Sequence, residues 1–114
     1  MIQIYHNPRC KKSRAGLQYL TERGVKPEII NYIAEGISET DLEKLLQKLN
    51  KKPEEIIRRQ EEYFKKELKN KEFTDKEWLK ILIENPKLIQ RPIVVKDYKA
   101  VIGDPVENID NLKI

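Results

Sequence analysis

The chain has 114 residues, a length that suits one compact domain and is short for two. Its 23 Lys plus Arg against 19 Asp plus Glu give a net charge of +4, too small an excess to indicate nucleic-acid binding. No apolar run is long enough to cross a membrane, no secretory leader is visible, and one cysteine excludes an internal disulfide. We therefore expect a monomeric, cytoplasmic protein.

The first third of the chain predicts a βαβ unit. Residues 1–5 have the pattern of a strand, and residues 11–23 that of a helix ending at Gly24. A second strand is expected at residues 28–32, after Pro27. The two strands of such a unit pair in parallel.

Three helices are predicted for the middle of the chain. Ser38 is the expected N-cap of the first, which Asn50 closes, and Pro53 suits the first turn of the second. Thr74 begins a capping box before the third helix, and Asn85 ends it. The apolar members of the second helix would be Ile56, Ile57, Tyr63, Phe64 and Leu68.

Charged residues in the second predicted helix are spaced as ion pairs. Glu61 and Glu62 each stand four residues before a lysine, at Lys65 and Lys66. This spacing is typical of a solvated helix face.

The strand pattern returns at residues 92–95 and 100–102, with a hairpin turn expected at 96–99 and a short helix at 106–112. The order of elements predicts an α/β fold. A helical insert at about residues 37–86 lies between the βαβ unit and the C-terminal β-hairpin, within a single domain spanning residues 1–114.

Cys10 is the strongest functional signal in the sequence. It falls between the first strand and the first helix, where unpaired backbone N–H groups and the helix dipole favour an anion. A lone cysteine is often only a small buried apolar residue. Here its neighbours are cations, which resist burial and lower the pKa of a thiol: Arg9, Lys11, Lys12 and Arg14. The pattern favours a nucleophilic thiolate.

Ser13 and His6 are the candidate partners of this thiol. Ser13 lies one helical turn after Cys10, so its hydroxyl is expected to hydrogen-bond the thiolate, but it cannot act as a second, resolving thiol. His6 is the only histidine. As an imidazolium it could hold the thiolate, and as an imidazole it could accept the thiol proton.

Two arginines outside this segment are candidate anion ligands. Arg58 follows two isoleucines in the insert, and Arg91 immediately precedes Pro92 at the start of a strand. Guanidinium groups bind tetrahedral oxyanions through paired hydrogen bonds and stay charged. No cluster with metal-ligand spacing is present, so no metal site is expected.

Three segments carry a resemblance to a known family. Residues 4–14 (IYHNPRCKKSR), 56–58 (IIR) and 88–95 (LIQRPIVV) resemble, in order and spacing, the motifs of the glutaredoxin-linked arsenate reductase (ArsC) family. The resemblance implies a thioredoxin-like, or glutaredoxin-like, fold with a helical insertion. It also implies a cis peptide bond between Arg91 and Pro92.

The resemblance further implies an activity. Cys10 would attack arsenate or a related oxyanion, glutathione would reduce the adduct as co-substrate, and glutaredoxin would complete the cycle, with no tightly bound cofactor. His6 and Ser13 would assist the thiol. The matching positions give Arg58 and Arg91 as ligands of the oxyanion, and Arg9 and Arg14, beside the cysteine, are further candidates.

Asp104 departs from the family pattern, in which an arginine follows the last strand. A carboxylate at this position predicts weaker arsenate turnover, because it removes a charge-assisted contact and repels a dianion. Two alternatives stay open. One is a glutathione-linked thiol-exchange protein without arsenate activity, and the other is an Spx-like regulator that binds RNA polymerase. The redox-sensing Spx-like regulators typically carry a second cysteine where this chain has Ser13.

Overall fold

A computed structural model describes all residues from 1 to 114. The chain forms two compact units: residues 1–36 with 91–114, here called the sheet unit, and residues 37–90, here called the helical unit. The expectation of a single domain stays a prediction. No helix is both long and apolar enough to span a bilayer.

The sheet unit contains one four-stranded mixed sheet in the order β2-β1-β3-β4. β1 pairs with β2 in parallel and with β3 antiparallel, and β3 pairs antiparallel with β4. The βαβ unit and the hairpin predicted from the sequence are therefore confirmed. The strands are β1 (Ile2–Tyr5), β2 (Glu28–Ile30), β3 (Ile93–Lys96) and β4 (Lys99–Ile102).

One helix and the C-terminal segment cover the apolar core of the sheet unit. Helix α1 (Lys11–Glu22) ends before Gly24, whose backbone is in the left-handed region with a φ of +75°. The C-terminal segment Val106–Leu112 is a 3₁₀ helix. The fully buried core cluster is Ile4, Leu20, Val94, Ile109 and Leu112.

The second strand is shorter than predicted. β2 ends at Ile30 because the Asn31 side chain caps a short helix, α2 (Tyr32–Glu35), by accepting a hydrogen bond from the backbone N–H of Ala34 at 3.1 Å. Asparagine favours such caps over a strand position. Tyr32, expected as the last strand residue, is thus the first residue of a helix.

Two α-helices of the helical unit follow the sequence signals. Helix α3 (Glu39–Leu49) is capped by the Ser38 side chain and closed by Asn50 in the left-handed region. Helix α4 (Asp75–Glu84) begins with a complete capping box at Thr74. The two helices pack against each other through apolar faces.

The prediction of one continuous helix after Pro53 is wrong. A 3₁₀ turn (Pro53–Ile56) is followed by an isolated bridge between Ile57 and Ile89, and then by a π-helix (Phe64–Leu68). The helix is interrupted because the backbone at residues 57–58 bonds residues 88–89 instead of the preceding helical turn. The N–H of Arg58 donates to the carbonyl of Leu88 at 2.6 Å.

Pro92 lies at the start of β3 in close contact with two glycines. The Arg91–Pro92 peptide bond is cis, as expected, and Asp104–Pro105 is a second cis bond. A Cβ added at Gly16 would lie 2.5 Å from Pro92 Cγ, and one at Gly103 would lie 3.2 Å from the same atom. A side chain at Gly16 would clash with this ring, whereas one at Gly103 would make a tight contact that requires a small shift of the ring.

We expect Gly16→Ala to lower the free energy of unfolding by about 1–3 kcal/mol, because overpacking outweighs the better helix propensity of alanine. Chemical denaturation measures the change. Thr21→Ala, at an exposed position of α1, is the control and should change stability little. A Gly16→Ala protein at least as stable as the wild type would contradict the packing argument.

Candidate active site

The sheet topology brings the two halves of the site together. Tyr5, the last residue of β1, pairs with Ile93, the first residue of antiparallel β3. The loop that leaves β1 and the loop that enters β3 therefore meet at the same end of the sheet, where these two strands end and begin. The first loop carries His6 and Cys10, and the second carries Arg91.

Cys10 is the N-cap residue of α1, with extended backbone at φ −92° and ψ 124°. Its N–H donates to the carbonyl of Asn7 at 3.0 Å, and the Asn7 side chain accepts from the N–H of Arg9 at 3.0 Å. Cys10 is 9% exposed. The short loop thus holds the sulfur at the helix N-terminus, largely out of water.

The surroundings of the Cys10 sulfur favour the thiolate. Burial alone raises the pKa of this thiol, but the backbone N–H of Ser13, the Arg91 side chain and the backbone N–H of Lys12 donate hydrogen bonds to it. With the added positive charge of Arg91, the pKa of Cys10 lies below its ordinary value. The sequence predicted a lowered pKa for Cys10. The cation that lowers it, however, is Arg91, which is far from Cys10 along the chain, and not one of the neighbouring cations.

The Ser13 hydroxyl does not make the bond to the thiolate that the sequence suggested. It is fully buried, lies 2.7 Å from Nδ1 of His6, and accepts a hydrogen bond from the backbone N–H of Asn7 at 2.9 Å. Ser13 reaches the sulfur through its backbone N–H instead. Its side chain thus ties the first turn of α1 to His6 and Asn7, at the start of the loop that carries Cys10.

His6 is buried, and burial is the main reason that its pKa is lowered. The positive charge of Arg14 lowers the pKa further, while a backbone hydrogen bond at Ser13 acts the other way. Of the two roles that the sequence left open, the structure favours a neutral imidazole. Nδ1 of the ring shares a hydrogen bond with the Ser13 hydroxyl, and the tautomer of the ring decides which of the two groups donates.

The predicted arginines of the sheet unit have different environments. Arg91 is 7% exposed and hydrogen-bonds the Cys10 sulfur. Arg14 is exposed and donates from Nη1 to the carbonyl of Pro8 at 3.0 Å, which braces the loop before Cys10. Arg9 is exposed in the same loop. Arg91 is thus the arginine that the structure places at the sulfur.

Arg58 belongs to the helical unit, and its role at the thiol stays a prediction. Its Nη1 donates to the Glu61 carboxylate at 2.9 Å. The ion pair predicted between Glu62 and Lys66 is present at 3.6 Å. No group of three or more His, Cys, Asp or Glu side chains that could hold a metal ion is found in the chain.

Asp104 points toward a cation that sequence reasoning did not connect with it. Its Oδ2 lies 2.9 Å from Lys12 Nζ, so the carboxylate following β4 pairs with the first turn of α1. The pairing follows from the topology, because β4 ends at the same sheet edge as the start of β3. No local signal links residues 12 and 104.

Comparison with known proteins identifies the family. The sequence profile described as the ArsC family matches residues 5–112, nearly the whole chain. The chain belongs to the ArsC family. Its fold is accordingly thioredoxin-like, in agreement with the resemblance of its three motifs.

Relatives of this ArsC-family chain span almost its full length. An arsenate reductase of Neisseria meningitidis is 36% identical over 96% of this chain and 95% of its own. The Escherichia coli protein YfgD is 38% identical over 95% of this chain and 92% of its own. The solved structure of an arsenate reductase from Vibrio cholerae has a TM-score of 0.90 at 36% identity, covering 96% of this chain and 95% of that one.

We expect Arg91→Met to raise the pKa of the Cys10 thiol, because it removes both a hydrogen bond and a positive charge from the thiolate. Alkylation by iodoacetamide at pH 7 should slow by roughly three- to tenfold, with the rate-against-pH curve shifted to higher pH. Arg9→Met, at an exposed arginine near Cys10, should leave the curve nearly unchanged. Identical curves for wild type and Arg91→Met would contradict this account of the thiol.

Proposed function

We propose that this protein is a monothiol oxidoreductase in which the Cys10 thiolate attacks arsenate or a related oxyanion, with glutathione and glutaredoxin as the reductants. The observation that carries the proposal is the lowered pKa of a buried cysteine toward which two backbone N–H groups and Arg91 converge. The names of the relatives from Neisseria meningitidis and Vibrio cholerae support arsenate as substrate.

The first step would form a bond between sulfur and arsenic. As Cys10 attacks As(V), one arsenate oxygen leaves as water after taking up protons, and negative charge moves from the sulfur to the remaining oxygens. Arg91 and the N–H groups of Lys12 and Ser13 converge on the sulfur and lower its pKa. The same donors therefore support the thiolate before attack and the oxyanion during it.

The reducing electrons would come from outside the chain. Cys10 is the only cysteine, and the buried Ser13 hydroxyl cannot form a disulfide. Two further thiols, from glutathione and glutaredoxin, would form one mixed disulfide while As(V) becomes As(III). Reduction of the adduct would release a second water, and hydrolysis of the S–As(III) bond would consume one water to give arsenite and the Cys10 thiol, so that one water is released overall.

The remaining site residues would assist this chemistry. Neutral His6, anchored through Ser13, would keep the loop in place and offer a ring N–H. Arg58, Arg9 and Arg14 would add positive charge for the oxyanion. Because glutathione keeps thiols reduced in the cytoplasm, we place the protein there, acting as a monomer.

We expect the purified protein to reduce arsenate in the presence of glutathione and glutaredoxin, and Cys10→Ser to lower turnover at least about a thousandfold, because the serine hydroxyl is a poor nucleophile without a base. Arsenite production is measured directly, with circular dichroism to confirm that the variant folds. Omitting either thiol reductant should stop multiple turnover.

Absence of turnover in the wild type, despite rapid alkylation of Cys10, would contradict arsenate reduction. Exchange between Cys10 and glutathione disulfide would then favour the thiol-exchange alternative. Co-purification with RNA polymerase would favour the Spx-like regulator.

We expect Asp104→Asn to raise kcat/KM for arsenate about two- to fivefold, because it removes a negative charge and frees the Lys12 ammonium from its partner. Asp97→Asn, at the hairpin turn, is the matched control and should have no effect. A lower kcat/KM in Asp104→Asn would instead show that the ion pair with Lys12 supports the reaction.

A further inference from the structure

Arg58 has a carboxylate partner within the helical unit. Its Nη1 lies 2.9 Å from Glu61 Oε1, and each side chain is 22% exposed. The neighbouring pair of Glu62 and Lys66 is 3.6 Å apart with side chains 84% and 70% exposed. The Arg58–Glu61 pair is thus shorter and much less screened by solvent than its neighbour.

The backbone keeps this pair together. Arg58 is anchored by its N–H, which donates to the Leu88 carbonyl at 2.6 Å, and Glu61 by its own N–H, which donates to the Arg58 carbonyl at 3.2 Å. A tight turn therefore sets the spacing of the two side chains. The carboxylate and the guanidinium are adjacent because these backbone bonds hold their residues three positions apart at the turn.

The adjacent arginine has another partner. The Arg59 guanidinium lies over the Phe64 ring, 5.2 Å from its centroid. Glu61 is engaged through one terminal nitrogen of Arg58, and a guanidinium has five N–H donors. An oxyanion can therefore bind the rest of the Arg58 guanidinium, but it does so close to the negative charge of Glu61.

We propose that Glu61 is a specificity-determining residue that acts as an internal counter-ion and weakens the binding of oxyanions at Arg58. The inference rests on the proposed function, because it takes Arg58 as a ligand of the oxyanion. Coulomb repulsion grows with the charge of the ligand, so Glu61 weakens the binding of dianions more than that of monoanions. Glu61 acts through its own charge on an anion that Arg58 holds close to it, without bonding the anion, so its effect requires Arg58.

The test compares the affinities of sulfate, a dianion, and nitrate, a monoanion, by NMR chemical-shift titration at constant ionic strength. In Glu61→Gln the amide oxygen still accepts from Arg58 Nη1, so the arginine keeps its position while the charge is removed. We expect Glu61→Gln to tighten sulfate about fivefold and nitrate about twofold or less. Glu62→Gln, at the exposed neighbour, should change neither affinity.

The Arg58→Ala variant tests whether Arg58 binds the anion, separately from the effect of Glu61. We expect it to weaken sulfate binding and to abolish the gain from Glu61→Gln in the double variant, with thermal unfolding used to confirm that each variant folds. Arg58→Lys replaces it if the alanine variant does not fold.

Three results would overturn the inference. If Arg58→Ala weakens sulfate but Glu61→Gln does not tighten it, the inference alone fails. If the gain from Glu61→Gln persists without Arg58, Glu61 acts on the anion by another route. If Arg58→Ala binds sulfate as well as the wild type, the role of Arg58 in the proposed function fails as well.

Discussion

The burial of the Cys10 sulfur beside converging hydrogen-bond donors is the constraint on which this structure depends. Removing a thiolate from solvent is costly, and the cost is offset only where several donors converge on the sulfur. Cys10 meets this condition through the first backbone N–H groups of α1 and through Arg91. The helix must therefore begin at Cys10, and the start of β3 must lie beside it.

The sheet order satisfies that requirement. Because β1 and β3 are neighbours and antiparallel, the end of one and the start of the other lie at the same edge. The close approach of α1 to Pro92 then depends on Gly16, where a side chain would clash, and the β4 end packs tightly on the same ring at Gly103. Pro92 thus packs against α1 and the β4 end, while its neighbour Arg91 reaches the Cys10 sulfur.

Local pairing limits how much of the chain's positive charge is free to act on an anion. Lys12 pairs with Asp104, and Arg58 pairs with Glu61, each at 2.9 Å. Arg91, by contrast, is buried and directed to the sulfur. A count of cations in the sequence therefore overstates the charge available to an oxyanion, and the partners of each cation matter more than their number.

The sequence by itself determined the elements with strong local signals. The caps at Ser38 and Thr74, the βαβ unit, the hairpin and the position of the cysteine at a helix start all follow from short-range hydrogen bonding and periodicity. Only the tertiary structure decided the rest. The pairing of Ile57 with Ile89 breaks a helix that local pattern favours, and the Ser13 hydroxyl bonds His6 rather than Cys10. The contacts of Arg91 with Cys10 and of Asp104 with Lys12 join residues more than 80 positions apart in the chain. Such contacts depend on strand order, which no local pattern of residues encodes.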